Sequence, residues 1–106
     1  MDSTTFLKKL KSQVCIAYID TDGVFVQQWF ENKMNLNRWM KKMNTHLSIH
    51  DYFVSMGVKR HEFEVIHKRN FSSLFDESGS PRRYSPVLTQ FVVHNIYGVP
   101  YIDPFQ

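Results

Sequence analysis

The apolar and polar positions change period several times along the chain, and the clearest change falls in its first third. Residues 13–19 (QVCIAYI) are almost continuously apolar and rich in strand-forming side chains, which is typical of a strand buried on both faces. The turn-forming run DTDG follows, and the next segment, VFVQQWF, returns to strand composition. The pattern predicts an antiparallel hairpin over residues 13–30 with Asp20 and Asp22 at its tip.

Apolar residues at helical spacing occur in the sequence both before and after this hairpin. Residues 5–11 predict a short amphipathic helix, and residues 35–56 predict a longer helical stretch after the hairpin. The apolar positions of the longer stretch recur at three- and four-residue steps: Leu36, Trp39, Met40, Met43 and Leu47. Because Ser48 heads a capping box, we expect the stretch to break near this residue, resume, and end at Gly57.

The second half of the chain predicts two further strands. Residues 59–68 alternate between apolar and polar side chains, which indicates a third strand. Residues 71–86 contain Ser, Gly and Pro and predict an irregular segment with an exposed turn at 76–81. Residues 87–97 (VLTQFVVHNIY) have strand composition, and the Pro- and Gly-containing residues 98–106 predict an irregular tail.

The predicted elements together indicate an α+β domain with a mostly antiparallel sheet of two β-hairpins and one or two packed helices. A chain of 106 residues has room for one core, so we expect residues 1–106 to form a single domain. The sequence has neither a long apolar run nor the pattern of a signal peptide, and its lone Cys15 cannot form an internal disulfide. We therefore expect an intracellular protein, cytoplasmic or nuclear, with no membrane partner.

Charge and turn chemistry suggest two kinds of site. Thirteen Lys and Arg against ten Asp and Glu give a net charge of +3, and the cations come in pairs or tight groups that can neutralise phosphates. Most such pairs are solvated surface residues, so composition permits a nucleic-acid partner without requiring one. Asp20 and Asp22 would place carboxylates on a stiff support, as Mg²⁺ requires, although D-x-D-G is also a common turn sequence.

Three segments resemble landmarks of one enzyme family in the family's own order. VCIAYIDTDGVFV (residues 14–26) is similar to the C motif of family B DNA polymerases in its archaeal form. EFEVIHKRNF (residues 62–71) resembles the next strand of those polymerase palms, and Arg82-Arg83-Tyr84 resembles their K-K-R-Y segment, which contacts the primer-template duplex. The resemblance implies a palm-like fold.

The resemblance also implies roles for particular residues. Asp22 would bind Mg²⁺ directly and Asp20 would support it in nucleotidyl transfer. Duplex DNA would be contacted by basic and aromatic residues: Arg82, Arg83, Tyr84, Lys68 and Arg69. The chain has no counterpart of the motif that supplies the other catalytic aspartate or of the fingers, so we expect it to need a complementary polymerase chain and to be inactive alone. The alternative is a small non-catalytic binding or regulatory module, of viral or mobile-element type, that acts through protein or nucleic-acid contacts.

Overall fold

The computed structural model describes residues 13–43, 46–76 and 80–95. This part of the chain forms three strands, β1 (Val14–Ile19), β2 (Phe25–Phe30) and β3 (Phe63–Ile66). It also forms four α-helices, α1 (Lys33–Met43), α2 (Ile49–Ser55), α3 (Lys68–Leu74) and α4 (Pro86–Asn95), with a short 3-10 helix at Arg60–Glu62. The strands make one antiparallel sheet in the order β2-β1-β3, so the predicted α+β class is confirmed. The predicted helix at residues 5–11 and the tail at 98–106 lie outside the described residues.

The predicted hairpin is present. β1 and β2 pair from Val14 opposite Phe30 to Ile19 opposite Phe25, and the turn between them holds Asp20 and Asp22. β3 joins the other edge of β1, which confirms the expectation that this segment shares a sheet with the hairpin. β3 is shorter than the predicted strand because a 3-10 helix precedes it and α3 begins directly after His67.

β1 is the centre of the molecule because both of its faces are covered. Cys15, Ala17 and Ile19 face one core cluster, which includes residues of α4. Val14 and Ile16 face a second cluster, which includes residues of α1, α2 and β3. A strand between two cores needs apolar side chains on both faces, which explains its unbroken apolar run.

The helical stretch after the hairpin breaks where the sequence predicts. α1 ends at Met43, and Ser48 caps α2 by accepting the backbone N–H of Asp51 at 3.2 Å. α2 ends in a Schellman motif, in which the N–H of Val58 donates to Phe53 O and that of Gly57 donates to Val54 O, both at 3.0 Å. The motif turns the chain towards β3.

The predicted fourth strand is wrong, because the structure shows α4 in its place. This helix is buried on most of its surface, so its sequence lacks the amphipathic period that reveals a helix. Its start is nevertheless marked, since Pro86 occupies the first helical position and Ser85 Oγ accepts the N–H of Leu88 at 3.2 Å. The described residues therefore form one hairpin and not two, and four helices where one or two were expected.

The expectation of an irregular segment from residue 71 is also wrong in part, because α3 continues to Leu74. The Asn70 side chain joins this helix to the end of β3. Its Oδ1 accepts the N–H of His67 at 2.9 Å, and its Nδ2 donates to Val65 O at 2.7 Å. Lys68 and Arg69 thus lie in the first turn of a helix and not at the end of a strand.

Candidate nucleic-acid interface

The two aspartates at the hairpin tip have different roles. Asp20 Oδ1 accepts the backbone N–H groups of Asp22 and Val24, each at 2.9 Å. Its carboxylate therefore stabilises the turn by the local bonding typical of an aspartate in this position. Asp22 is exposed at the turn. Of the two predicted metal ligands, Asp20 already has one carboxylate oxygen hydrogen-bonded to the backbone of its own turn.

No metal centre is formed by the described residues alone, since no three His, Cys, Asp or Glu side chains among them come close enough to hold an ion. Glu62 is the acidic residue that comes immediately before β3. The first residue of that strand, Phe63, pairs with Tyr18 of β1. Its carboxylate lies 3.9 Å from His61 Nε2 and does not complete a set with the aspartates. A two-metal reaction requires carboxylates from separate strands, so Mg²⁺ chemistry at this tip would need ligands from elsewhere.

The three predicted DNA-contacting residues before α4 also differ in their surroundings. Arg82 Nε donates to the carbonyl oxygens of Ser72 and Phe75, each at 3.2 Å, and so ties this loop to the end of α3. Arg83 Nη2 forms an ion pair with Glu64 Oε1 on β3. Tyr84 is 93% exposed. Arg82 therefore has a structural role, whereas Arg83 and Tyr84 are presented to solvent.

Lys68 and Arg69 are placed far along the sheet from the aspartates. They follow the end of β3, where Ile66 pairs with Cys15 near the start of β1. Asp20 and Asp22 come after the end of β1. Because the strands are antiparallel, the two groups lie at opposite ends of the sheet. The structure does not bring all predicted site residues together.

Arg83 and Tyr84 line a groove of about 260 Å³ at the outer edge of β3. The residues of this groove that were not predicted as site residues include three polar side chains on its α2 and 3-10 side: His50, Arg60 and His61. His50 comes from α2, where its ring packs edge-on against Phe63 with 4.8 Å between centroids. Sequence reasoning missed these side chains because α2, the 3-10 helix and the loop before α4 meet only in the folded protein. For the residues that were missed, the one sequence signal is the paired cations at 59–60.

The charges of the groove are partly balanced. Burial raises the pKa of the Glu64 carboxyl above its ordinary value, and the nearby Arg83 guanidinium opposes this shift. Arg60 Nη2 lies 2.8 Å from Asp51 Oδ1, and this hydrogen bond, with that from Ser48, lowers the pKa of Asp51. Both arginine side chains are more than half exposed. Each has N–H donors beyond the one used in its ion pair, so both can still donate to phosphate oxygens.

Comparisons with known proteins give no relative for this chain. No protein-family model, no curated protein and no solved structure matches it. Among the helices of the described ranges, none combines the length and the apolar character needed to cross a membrane.

Proposed function

We propose that this chain is a small non-catalytic module that binds nucleic acid in the groove beside β3. The observation that carries the proposal is the 93% exposure of Tyr84 at a groove that Arg60 and Arg83 also line. Aromatic rings stack on unpaired bases for about 1–3 kcal/mol each, and arginines bind the adjacent phosphates. The groove therefore offers both kinds of contact that a single-stranded nucleic acid needs.

Glu64 supports the proposal as a positioning residue. Its carboxylate lies on β3 with a side chain 14% exposed, and it holds one guanidinium nitrogen of Arg83. A guanidinium has five N–H donors in a rigid plane, so this ion pair orients the group and leaves donors for a phosphate. Glu64 also limits affinity, because a phosphate must share Arg83 with a carboxylate.

The experiment is a fluorescence-anisotropy titration of a labelled 12-nucleotide single strand with the full chain. Tyr84→Ala removes the stacking ring, so we expect its affinity to fall by about 5- to 150-fold, which corresponds to 1–3 kcal/mol. Tyr84→Phe is the matched control, since it keeps the ring and removes only the hydroxyl, and it should bind within about twofold of the native protein. Equal affinity of Tyr84→Ala and the native chain, or no binding by either, would overturn the proposal.

A second candidate function is a palm-type subunit of a family B DNA polymerase. The observation in its favour is the exposed Asp22 at the tip of a hairpin that shares its sheet with β3, in the order of the family's landmarks. In this role Asp22 would bind Mg²⁺, Asp20 would hold the turn in shape, and a complementary polymerase chain would supply the missing aspartate and the fingers. Duplex DNA would be the substrate.

This second candidate is tested by Mg²⁺ titration and primer extension. The chain alone should bind Mg²⁺ weakly and extend no primer, because one turn cannot clamp two ions. Asp22→Asn should abolish the weak binding, whereas Asp20→Asn should mainly weaken the turn. Primer extension by the purified chain that survives Asp22→Asn would contradict the assigned site.

A further inference from the structure

Helix α1 presents a strongly basic surface that lies apart from the groove. Its sequence, KMNLNRWMKKM, contains four cations and no acidic residue. All four cations are exposed: Lys33, Arg38, Lys41 and Lys42. We call these four residues the α1 basic face. At 3.6 residues per turn they spread over about half of the helix circumference. Arg38, Lys41 and Lys42 lie on the side away from the buried Leu36, whereas Lys33 lies nearer to it, at the edge of the face.

The α1 basic face is not neutralised within the described part of the chain. The ion pairs found there involve Arg60, His61 and Arg83, and none involves a cation of α1. This contrasts with the groove, where both arginines have a carboxylate partner. All four cations of α1 therefore lack an ion-pair partner among the described residues.

Helix stability alone explains only part of this pattern. Lys41 and Lys42 lie in the last turn, where cations interact favourably with the helix dipole. Lys33 lies in the first turn, where a cation is unfavourable and where α1 has no acid. Arg38 and Lys42 are four residues apart, so they repel each other on one side of the helix. Two of the four cations are therefore placed against the preference of an isolated helix.

The basic surface continues beyond α1 towards the start of α3. Burial lowers the pKa of His67, and the positive charges of Lys33 and Arg69 lower it further. The charges of Lys33 on α1 and Arg69 on α3 therefore both act on the same ring. Lys68 and Arg69 form a second group of cations in the first turn of α3.

We propose that the α1 basic face binds the sugar-phosphate backbone of duplex nucleic acid without reading its sequence. Duplex DNA carries one negative charge per about 1.7 Å of its axis, so several phosphates lie within reach of four cations that span about 13 Å of helix axis. The inference rests on the proposed function only for the class of partner, nucleic acid. The cations of α1 are separate from the groove residues.

An anionic membrane fits this surface less well. Helices that bind membrane surfaces insert an apolar face into the bilayer. The apolar stripe of α1 is instead turned inward, where Leu36 is buried and Trp39 and Met40 pack against the second core cluster. Between the cations the outer side of α1 includes Asn37 and a single apolar residue, Met34, which is 60% exposed.

The test measures the salt dependence of binding to a labelled 20-base-pair DNA duplex. The combined variant Arg38→Gln, Lys41→Gln and Lys42→Gln should reduce the magnitude of the negative slope of log affinity against log salt by about 2–3. Each lost phosphate contact contributes about 0.9 to that magnitude. The matched control removes the same number of charges from another segment through Lys8→Gln, Lys9→Gln and Lys11→Gln. Circular dichroism checks that both variants are folded, and if the triple variant is not, Arg38→Gln alone should lower the slope by about 0.9.

Each outcome decides the proposal. A slope lowered in the α1 variant and unchanged in the control supports it. Equal losses in both variants would show an effect of net charge and overturn it, as would binding to vesicles containing phosphatidylserine but not to the duplex. If Tyr84→Ala loses single-strand binding while the α1 variant keeps its duplex slope, the further inference fails and the proposed function stands. If Tyr84→Ala has no effect while the α1 variant loses its slope, the groove fails and the α1 face stands.

Discussion

Gly57 is the residue at which the end of α2 meets the hairpin tip. Its φ of +96° is a left-handed conformation that closes the helix, as the glycine of a Schellman motif does. A Cβ at this position would lie 2.7 Å from Thr21 Cγ2 in the turn. Glycine is therefore required here both by the backbone conformation and by the close approach of the tip.

Gly57→Ala should lower the free energy of unfolding by about 2–4 kcal/mol, because it adds a steric overlap to the strain of a left-handed alanine. Gly23→Ala is the matched control, since Gly23 has a φ of +79° but nothing within 4 Å of its Cβ position. We expect the control to lose only about 1–2 kcal/mol in urea denaturation. Equal losses in the two variants would show that Thr21 does not constrain Gly57.

Glu64 predicts a pH dependence of stability. Its pKa in the folded protein is raised above the ordinary value of 4.5, chiefly by burial, so the folded protein holds this proton more tightly than the unfolded chain. The contribution of Glu64 to stability is therefore complete below the unfolded value and decreases as the pH rises through the folded pKa. Glu64→Gln should abolish this decrease. The measurement is the free energy of unfolding of the native protein and of Glu64→Gln from pH 4 upward. A difference between the two that does not change with pH would contradict the account.

Among the elements, those with a clear periodic pattern follow from the sequence, whereas the composition of α4 favours a strand. The hairpin has an apolar run, a D-x-D-G turn and a second strand run, and the helix break at Ser48 has its own cap. α4 has β-branched and aromatic residues and little amphipathic character, so a strand and a buried helix have the same composition there. The pair Ser85-Pro86 was the signal that distinguishes them, since a cap followed by proline starts helices and not strands.

The Ser85 cap gives a test at this scale. Ser85→Ala removes the oxygen that accepts the Leu88 N–H and should reduce stability by about 1–2 kcal/mol, at the upper end for a cap because Ser85 is 3% exposed. Ser48→Ala removes the equivalent oxygen from α2 at an exposed site and should cost about 0.5–1 kcal/mol. The measurement is thermal or urea unfolding of both variants. A larger loss from Ser48→Ala would argue against a buried start of α4.

At the scale of the whole molecule, the sequence predicts single residues of the site but not their grouping. Arg83 and Tyr84 stand out as a basic and aromatic pair, and the structure leaves both accessible. His50 and Arg60 join them only because α2 packs beside β3, which no local pattern reveals. The hairpin tip shows the opposite case, since D-x-D-G suggests a metal site while Asp20 is bonded to its own turn.

The central claim is that the groove beside β3 binds nucleic acid, and chemical-shift mapping by NMR tests it most directly. A single-stranded 12-mer should be titrated into the ¹⁵N-labelled chain, and the amide signals of every residue should be followed. We predict the largest shifts at Arg60, His61, Arg83 and Tyr84, with smaller shifts at Asp20 and Asp22. Shifts confined to the hairpin tip, or no shifts at saturating oligonucleotide, would contradict the claim.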